Sequence, residues 1–156
     1  MRTHIAVLLH NIRSAHNVGS IFRTAEGAGA ERIYLSGYTP APLDRFGRVR
    51  KDIAKTSLGA QMSLSWEQSA SPFSVLAKLR GGGWTIIGVE QDKKAIDYRT
   101  FKTRKPTLFI FGNEVRGIPP ALRAKCDKLI EIPMHGKKES LNVSVAAGIV
   151  LFRAVE

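Results

Sequence analysis

In the stretch Asn17-Val18-Gly19-Ser20-Ile21-Phe22-Arg23 an amide, a glycine and a guanidinium fall close together, and these are groups that handle an anion or a hydroxyl. The amide both donates and accepts, glycine admits close approach, and guanidinium stays charged. A helix starting near Gly19 places Asn17 at its mouth and projects Arg23 from its second turn, within reach of one shared anion or hydroxyl. The structural alternative makes Asn17 an N-cap and Arg23 a solvated surface residue. Phe111-Gly112-Asn113-Glu114-Val115-Arg116-Gly117-Ile118-Pro119 is a second such stretch, directly after an all-apolar run. Open α/β sheets bind ligands beyond the carboxyl ends of their strands, where Gly112, Asn113 and Glu114 fall. The alternative is a plain strand-to-helix turn with Glu114 as an early helix charge. The third stretch, Ile132-Pro133-Met134-His135-Gly136-Lys137-Lys138-Glu139-Ser140-Leu141-Asn142-Val143-Ser144, again leads from an apolar run through a glycine-containing polar loop into a helix. Here Ser140 is an N-cap or a site hydroxyl, Asn142 a first-turn donor or a site amide, and Met134 core or pocket.

Several other chemistries lack their residues. There is no Walker A loop. Gly27-Ala28-Gly29 fails the dinucleotide fingerprint because Arg32 stands where the third glycine belongs, so it reads as a helix C-cap, and a nucleotide-dependent enzyme of the doubly wound type is left without a phosphate loop. Gly81-Gly82-Gly83 likewise reads as a helix end. His4, His10, His16 and His135 show no metal-ligand spacing and the single cysteine, Cys126, cannot build a zinc site, so no metal is expected. One cysteine also forms no internal disulfide. Met1 to His4 run directly into an apolar stretch too short for a signal peptide. No apolar run approaches the roughly 20 residues that span a bilayer, and the expectation is a cytoplasmic protein without membrane insertion.

The elements that must position these residues follow from periodicity. Ile5 to Leu9 is a short apolar run of strand type, and Val18, Ile21, Phe22, Ala25 and Ala28 recur at helical spacing. Ile33 to Leu35 follows, then a turn-rich stretch with Gly37, Pro40 and Pro42, and a basic, helix-like segment from Val49 to Leu58. Apolar runs at Met62 to Trp66, Trp84 to Val89, Thr107 to Phe111 and Leu129 to Ile132 are separated by helical segments near Phe73 to Leu79 and Pro120 to Lys125. Pro119 or Pro120 suits the start of the latter. In a closing helix Leu141, Val145, Gly148, Ile149 and Phe152 share a face, with Ser140 as its expected N-cap. Strands alternating with helices predict a three-layer α/β domain with a mostly parallel sheet. The 156 residues contain no repeat and no linker, so one domain, 1–156, is expected.

Charge narrows the partner. The chain carries 24 Lys and Arg against 13 Asp and Glu, a net +11, gathered at Arg45, Arg48, Arg50 and Lys51, at Lys102, Arg104 and Lys105, and at Lys137 and Lys138. A field of that sign attracts a polyanion such as nucleic acid, and charge alone does not separate RNA from DNA.

Taken in order, Asn17-x-Gly19-x-x-x-Arg23, Phe111-Gly112-Asn113-Glu114-x-x-Gly117-Ile118, and Ile132-Pro133-Met134 through Ser140-Leu141-Asn142-Val143-Ser144 resemble the three motifs of the SpoU (TrmH-like) RNA 2'-O-ribose methyltransferases, over nearly the whole chain. The resemblance implies an α/β domain whose C-terminal part is threaded into a trefoil knot, a feature that general rules of chain topology disfavour. It implies S-adenosylmethionine as methyl donor, with S-adenosylhomocysteine as product, in a pocket lined by Gly112, Ile132, Met134, Ser140 and Leu141, with Val89 or Glu90 at its edge. Arg23, Asn17, Glu114, Ser140 and Asn142 become the catalytic cluster. Two roles stay open for Arg23: general base, or electrostatic stabiliser of the developing alkoxide. RNA, either tRNA or rRNA, is the implied partner, with tRNA favoured, and a homodimer is the implied assembly. The alternative is a non-catalytic RNA-binding protein that keeps the fold.

Overall fold

The computed structural model describes residues 2–156. Its strands are β1 (Ile5–His10), β2 (Arg32–Ser36), β3 (Ser65–Ser69), β4 (Thr85–Val89), β5 (Ile96–Asp97), β6 (Thr107–Phe111) and β7 (Lys128–Glu131). They form one sheet in the order β3-β2-β1-β6-β4-β7-β5, and every pairing is parallel. Parallel strands must return by crossovers on the sheet faces. The helices in these connections are α1 (Ala15–Gly27), α2 (Lys51–Ser57), α3 (Ala60–Ser63), α4 (Pro72–Gly81) and α5 (Pro120–Arg123), and α6 (Val143–Ala154) follows the last strand.

Covering both faces explains why the central strands read as unbroken apolar runs. Ile5, Val7 and Leu9 of β1, with Phe109 and Phe111 of β6, pack into a core completed by Val18, Ile21, Phe22 and Ala25 of α1 and by Ala147, Val150 and Leu151 of α6. The intervening Ala6, Leu8, Leu108 and Ile110 point the other way, onto Val75, Leu76 and Leu79 of α4 and Leu122 of α5. Three layers result. Truncating a fully buried ring such as Phe109 to alanine would cost about 3–5 kcal/mol.

Local signals set the helix ends. Ser14 caps α1 by accepting from Asn17 N at 3.1 Å, and the helix ends at Gly27 with Gly29 left-handed at φ 79°. Ser71 and Pro72 open α4, which closes through Gly82 and Gly83, as the glycine runs predict. α1 crosses α2 at Gly19, where a Cβ would meet Thr56 Oγ1 and lie 2.5 Å from Ile53 O. The glycine of the first motif therefore has a packing reason.

Three expectations need correction. The helix after β1 begins at Ala15, so Asn17 lies in its first turn, not at its mouth, and Arg23 stands in its third turn. α6 is capped by Asn142, whose Oδ1 accepts from Ser144 N at 2.9 Å, and not by Ser140. Met62 to Trp66 is not one strand: α3 ends at Ser63 and β3 starts at Ser65. Leu58 and Gly59, left-handed at φ 50° and 91°, turn the chain so that Ala60 and Leu64 are buried at helical spacing while Met62 is exposed. The two-residue β5 carries too little sequence to show a period.

Candidate functional site

In a parallel sheet all strand C-termini lie along one edge, and the three polar stretches emerge there. β6 delivers the chain to Gly112, which is buried and has no room for a side chain: a Cβ would lie 2.5 Å from Gly117 O and Ile118 N. Asn113 and Gly117 exchange backbone hydrogen bonds, Gly117 N donating to Asn113 O at 2.9 Å with Gly117 at φ 69°. Asn113 Oδ1 accepts from Val115 N and Arg116 N, both at 2.9 Å. Its Nδ2 donates to Asn11 O at 3.0 Å and to Tyr38 Oη at 2.9 Å. Ile118 N donates to Glu90 Oε2 at 2.6 Å. The loop is thus tied to its neighbours on both sides.

Glu114 is carried by this loop to the start of α1. Its carboxylate accepts from Arg13 N at 3.0 Å and Ser14 N at 3.0 Å, N–H groups that a helix start leaves without intrahelical partners and where the helix dipole favours a negative charge. Burial works to raise its pKa, but the N–H groups of Ser14 and Arg13, with the Asn17 amide, outweigh it and hold the carboxyl below its ordinary value. Asn17 Nδ2 donates to Glu114 Oε1 at 3.4 Å, and Asn17 Oδ1 accepts from Asn142 Nδ2 at 3.3 Å. Since Asn142 also caps α6, one chain of side chains joins the β6 loop, the N-terminus of α1 and the N-terminus of α6. Asn17 is buried, so both of its contacts matter for satisfying a desolvated amide.

Between these elements and the ends of β4 and β7 opens a cleft of about 770 Å³, measured out to its mouth. Val89, Glu90, Gly112, Ile132, Ser140 and Leu141 line it, as do Glu114 and Asn142. Met134 is half-buried and is not among its walls. Asn17 supports the cleft from behind through Glu114 and Asn142. Arg23 is exposed, forms no hydrogen bond or ion pair with the described residues, and does not line the cleft.

Sequence reasoning overlooked four participants. Gln91 lines the cleft and its Nε2 donates to Ile132 O at 2.7 Å, fastening the loop after β4 to the one after β7. Glu131 lines it as the last residue of β7, a position that strand-end reasoning could have found. Asn11, at φ 57°, and Tyr38 brace Asn113 from the ends of β1 and β2. Asparagine is the non-glycine residue most tolerant of a left-handed turn, so its place right after a strand was the available signal for Asn11.

A low-pKa carboxylate is a weak base at neutral pH, so the geometry suits Glu114 to holding Asn17 in place and not to taking a proton. The cleft joins a backbone-walled, partly apolar half to an amide-lined half. Among the described residues no group of three or more His, Cys, Asp or Glu is placed to hold a metal ion, and no helix is long and apolar enough to cross a membrane.

Relatives share both the sequence and this fold. The chain is 31% identical to the tRNA (guanosine(18)-2'-O)-methyltransferase of Aquifex aeolicus over 150 residues, covering 96% of this chain and 68% of that protein. It is 32% identical to the 23S rRNA (guanosine-2'-O-)-methyltransferase RlmB of Ralstonia nicotianae, covering 97% of this chain and 58% of that one. The AdoMet-bound rRNA methyltransferase of Sinorhizobium meliloti superposes with a TM-score of 0.87 at 29% identity, covering 98% of this chain and 56% of that one. The chain thus spans between about half and two-thirds of the length of these relatives. The model of the SpoU rRNA Methylase family matches residues 4–152, which takes in all three polar stretches and the cleft they build, and the chain belongs to that family.

Proposed function

We propose that this chain transfers a methyl group from S-adenosylmethionine to a ribose 2'-hydroxyl of tRNA or rRNA, with tRNA the favoured substrate. The observation that carries the reading is that Gly112, packed without room for a side chain against Gly117 and Ile118, lines one cleft with Glu114 and Asn142, which Asn17 joins. The residues present fit the donor. Val89, Ile132 and Leu141 offer apolar surface for a purine ring, Gly112 leaves backbone within reach of a ligand, and Ser140 adds a hydroxyl at the rim. Met134 belongs to this group only if the loop after β7 turns it inward.

When bound, S-adenosylmethionine supplies a methyl carbon on a positively charged sulfonium: the ribose oxygen bonds to it as the carbon–sulfur bond breaks, S-adenosylhomocysteine leaves, and the hydroxyl proton passes to solvent. The protein's part is to aim the hydroxyl and to stabilise the charge that develops on its oxygen. Asn142, fixed by Asn17, presents its amide to that half of the cleft. Arg23 serves as electrostatic stabiliser or phosphate clamp, or else as the general base.

Arg23 does not line the cleft of its own chain, which leads to the assembly. On the neighbouring α6, Val145 and Phe152 are 50% and 49% exposed. A two-fold partner packed on α1 and α6 covers them and brings the Arg23 of one copy to the cleft of the other. The reading is completed by a trefoil knot in the C-terminal part, supported by likeness to the solved methyltransferases, and by residues 1–156 acting as one catalytic unit in the cytoplasm.

The test is to incubate the protein with methyl-labelled S-adenosylmethionine and total RNA. Label entering RNA is expected, and Asn17→Ala and Asn142→Ala should each abolish it. RNA left unlabelled while the donor binds would leave only the non-catalytic reading. Mixing inactive Arg23→Ala with inactive Asn142→Ala under subunit exchange should restore part of the activity. No recovery would overturn the shared site.

A further inference from the structure

The connection from β2 to α2, residues 37–50, holds two exposed aromatic rings, Tyr38 at 59% and Phe46 at 66% exposure. Phe46 adds nothing to the core, yet its loop is built to hold it outward. Asp44 Oδ1 accepts from Phe46 N at 2.8 Å and Arg48 N at 3.0 Å, and Asp44 Oδ2 accepts from Arg48 Nε at 3.1 Å. Asp44 N donates to Arg48 O and Gly47 N to Asp44 O. A bridge between Leu43 and Val49 closes the base of the loop, and Gly47 at φ 75° makes its left-handed turn. The guanidinium carbons of Arg45 and Arg48 lie 4.8 and 4.9 Å from the Phe46 ring centroid. Arg48 is committed to Asp44, whereas Arg45 has no hydrogen bond or ion pair with the described residues.

The same connection starts at the cleft. β2 and β6 end on one edge of the sheet, and Tyr38 Oη accepts from Nδ2 of Asn113, a cleft residue. Tyr38 N donates to Asn11 Oδ1 at 3.2 Å. The segment is therefore pinned at the cleft mouth and leads from there to Phe46.

We infer that Phe46, with Arg45 and Arg48, is a stacking platform for an unpaired nucleobase of the RNA bound at the cleft, an inference that rests on the RNA reading above. Every nucleobase has a π-face, and single-stranded RNA is held by aromatic rings and guanidinium planes together with cationic contacts to phosphate. Arg45 can leave the ring for the phosphate of the nucleotide whose base replaces it, so charge and stacking surface serve the same residue of RNA. An apolar protein partner would have to desolvate two arginines to reach the ring, whereas a polyanion is attracted by them and by the chain's net +11.

The probes are a short single-stranded oligoadenylate and a blunt RNA duplex of equal length, with S-adenosylmethionine affinity measured in parallel. Phe46→Ala should weaken oligoadenylate binding about tenfold, change duplex binding less than about twofold, and leave donor affinity unchanged, because the ring does not line the cleft. Phe46→Trp should restore affinity, with fluorescence quenched on binding beyond that of the native Trp66 and Trp84. Asp44→Ala should lose affinity with the ring still present, since the loop then no longer holds it out. Wild-type oligoadenylate binding by Phe46→Ala, or equal loss on single strand and duplex, overturns the platform. If the contrast holds while wild-type protein methylates no RNA, the catalytic reading fails and the platform stands.

Discussion

The loops 112–118 and 132–141 both contribute to one cleft, the first through Gly112 to Val115 and Gly117, the second through Ile132, Ser140 and Leu141. The first is bound to Asn11, Tyr38, Glu90 and the start of α1 through backbone and side-chain hydrogen bonds, whereas the second has among the described residues only the bond from Gln91 to Ile132 O before Asn142 caps α6. The contrast separates two tasks. A carboxylate that must orient an amide within a fraction of an ångström needs a wall already fixed before ligand arrives, because positioning is lost with small displacements. A wall that closes over a cofactor can be ordered at binding, at the expense of some affinity. Lys137 and Lys138, both exposed, add positive charge to the looser wall.

The contrast is broken most severely at Gly112. Gly112→Ala forces a methyl group against Gly117 O and Ile118 N, backbone atoms that cannot move without undoing the loop, so denaturant melts should show a loss of about 2–3 kcal/mol and calorimetry should show donor binding gone. Next is Glu114→Gln, which lacks the charge that Ser14 N and Arg13 N stabilise. A partly exposed carboxylate is screened, so the expected cost is about 1 kcal/mol, with methyl transfer down on the order of 100-fold. Because the folded-state pKa of Glu114 is lowered, its contribution is fully present above the ordinary carboxylate value of about 4.3. It is lost as pH falls through the lowered folded value. Wild-type and Glu114→Gln stabilities should therefore differ at neutral pH and converge in acid; a constant gap would show that the charge is not what the loop holds.

Asn142 serves both the helix and the cleft. Asn142→Ala should cost about 1 kcal/mol as a lost cap. Asn142→Ser keeps a capping oxygen but is too short for Asn17, whose buried Oδ1 then loses its donor, so it should recover the cap's share of the stability while still transferring methyl slowly. The smallest effect belongs to the looser wall: Ser140→Ala should change stability by less than about 0.5 kcal/mol, a shift that a thermal melt can bound. Amide exchange across 135–141 should slow on adding S-adenosylmethionine while that of 113–117 barely changes.

How far sequence alone reaches follows the same division. Strands buried on both faces, the glycine helix ends and the order of the three polar stretches are local signals, and they appear at the positions the periodicity indicates. The partner of a cap is not local. Ser14, Asn17, Ser140 and Asn142 are all competent caps, and only the folded chain decides that Ser14 and Asn142 serve. Asn17 is thereby left to bridge Glu114, 97 residues away, and Asn142, 125 residues away. The ties of Asn113 to Asn11 and Tyr38, and of Glu90 to Ile118 N, depend on which strands are neighbours, and the order β1-β6-β4-β7 is not written in any one segment. Arg23 shows the converse: its motif is plain in the sequence, but one copy of the fold does not carry it to the cleft.

Whether the cleft directs a methyl group to a ribose oxygen is decided by the chemical position of the methyl. Alkali cleaves RNA through the free 2'-hydroxyl, so a 2'-O-methyl group protects the adjoining phosphodiester. After transfer from labelled S-adenosylmethionine and alkaline hydrolysis, label should appear in alkali-stable dinucleotides that yield 2'-O-methylnucleosides on enzymatic digestion. Label recovered on a nucleobase within ordinary mononucleotides would contradict it.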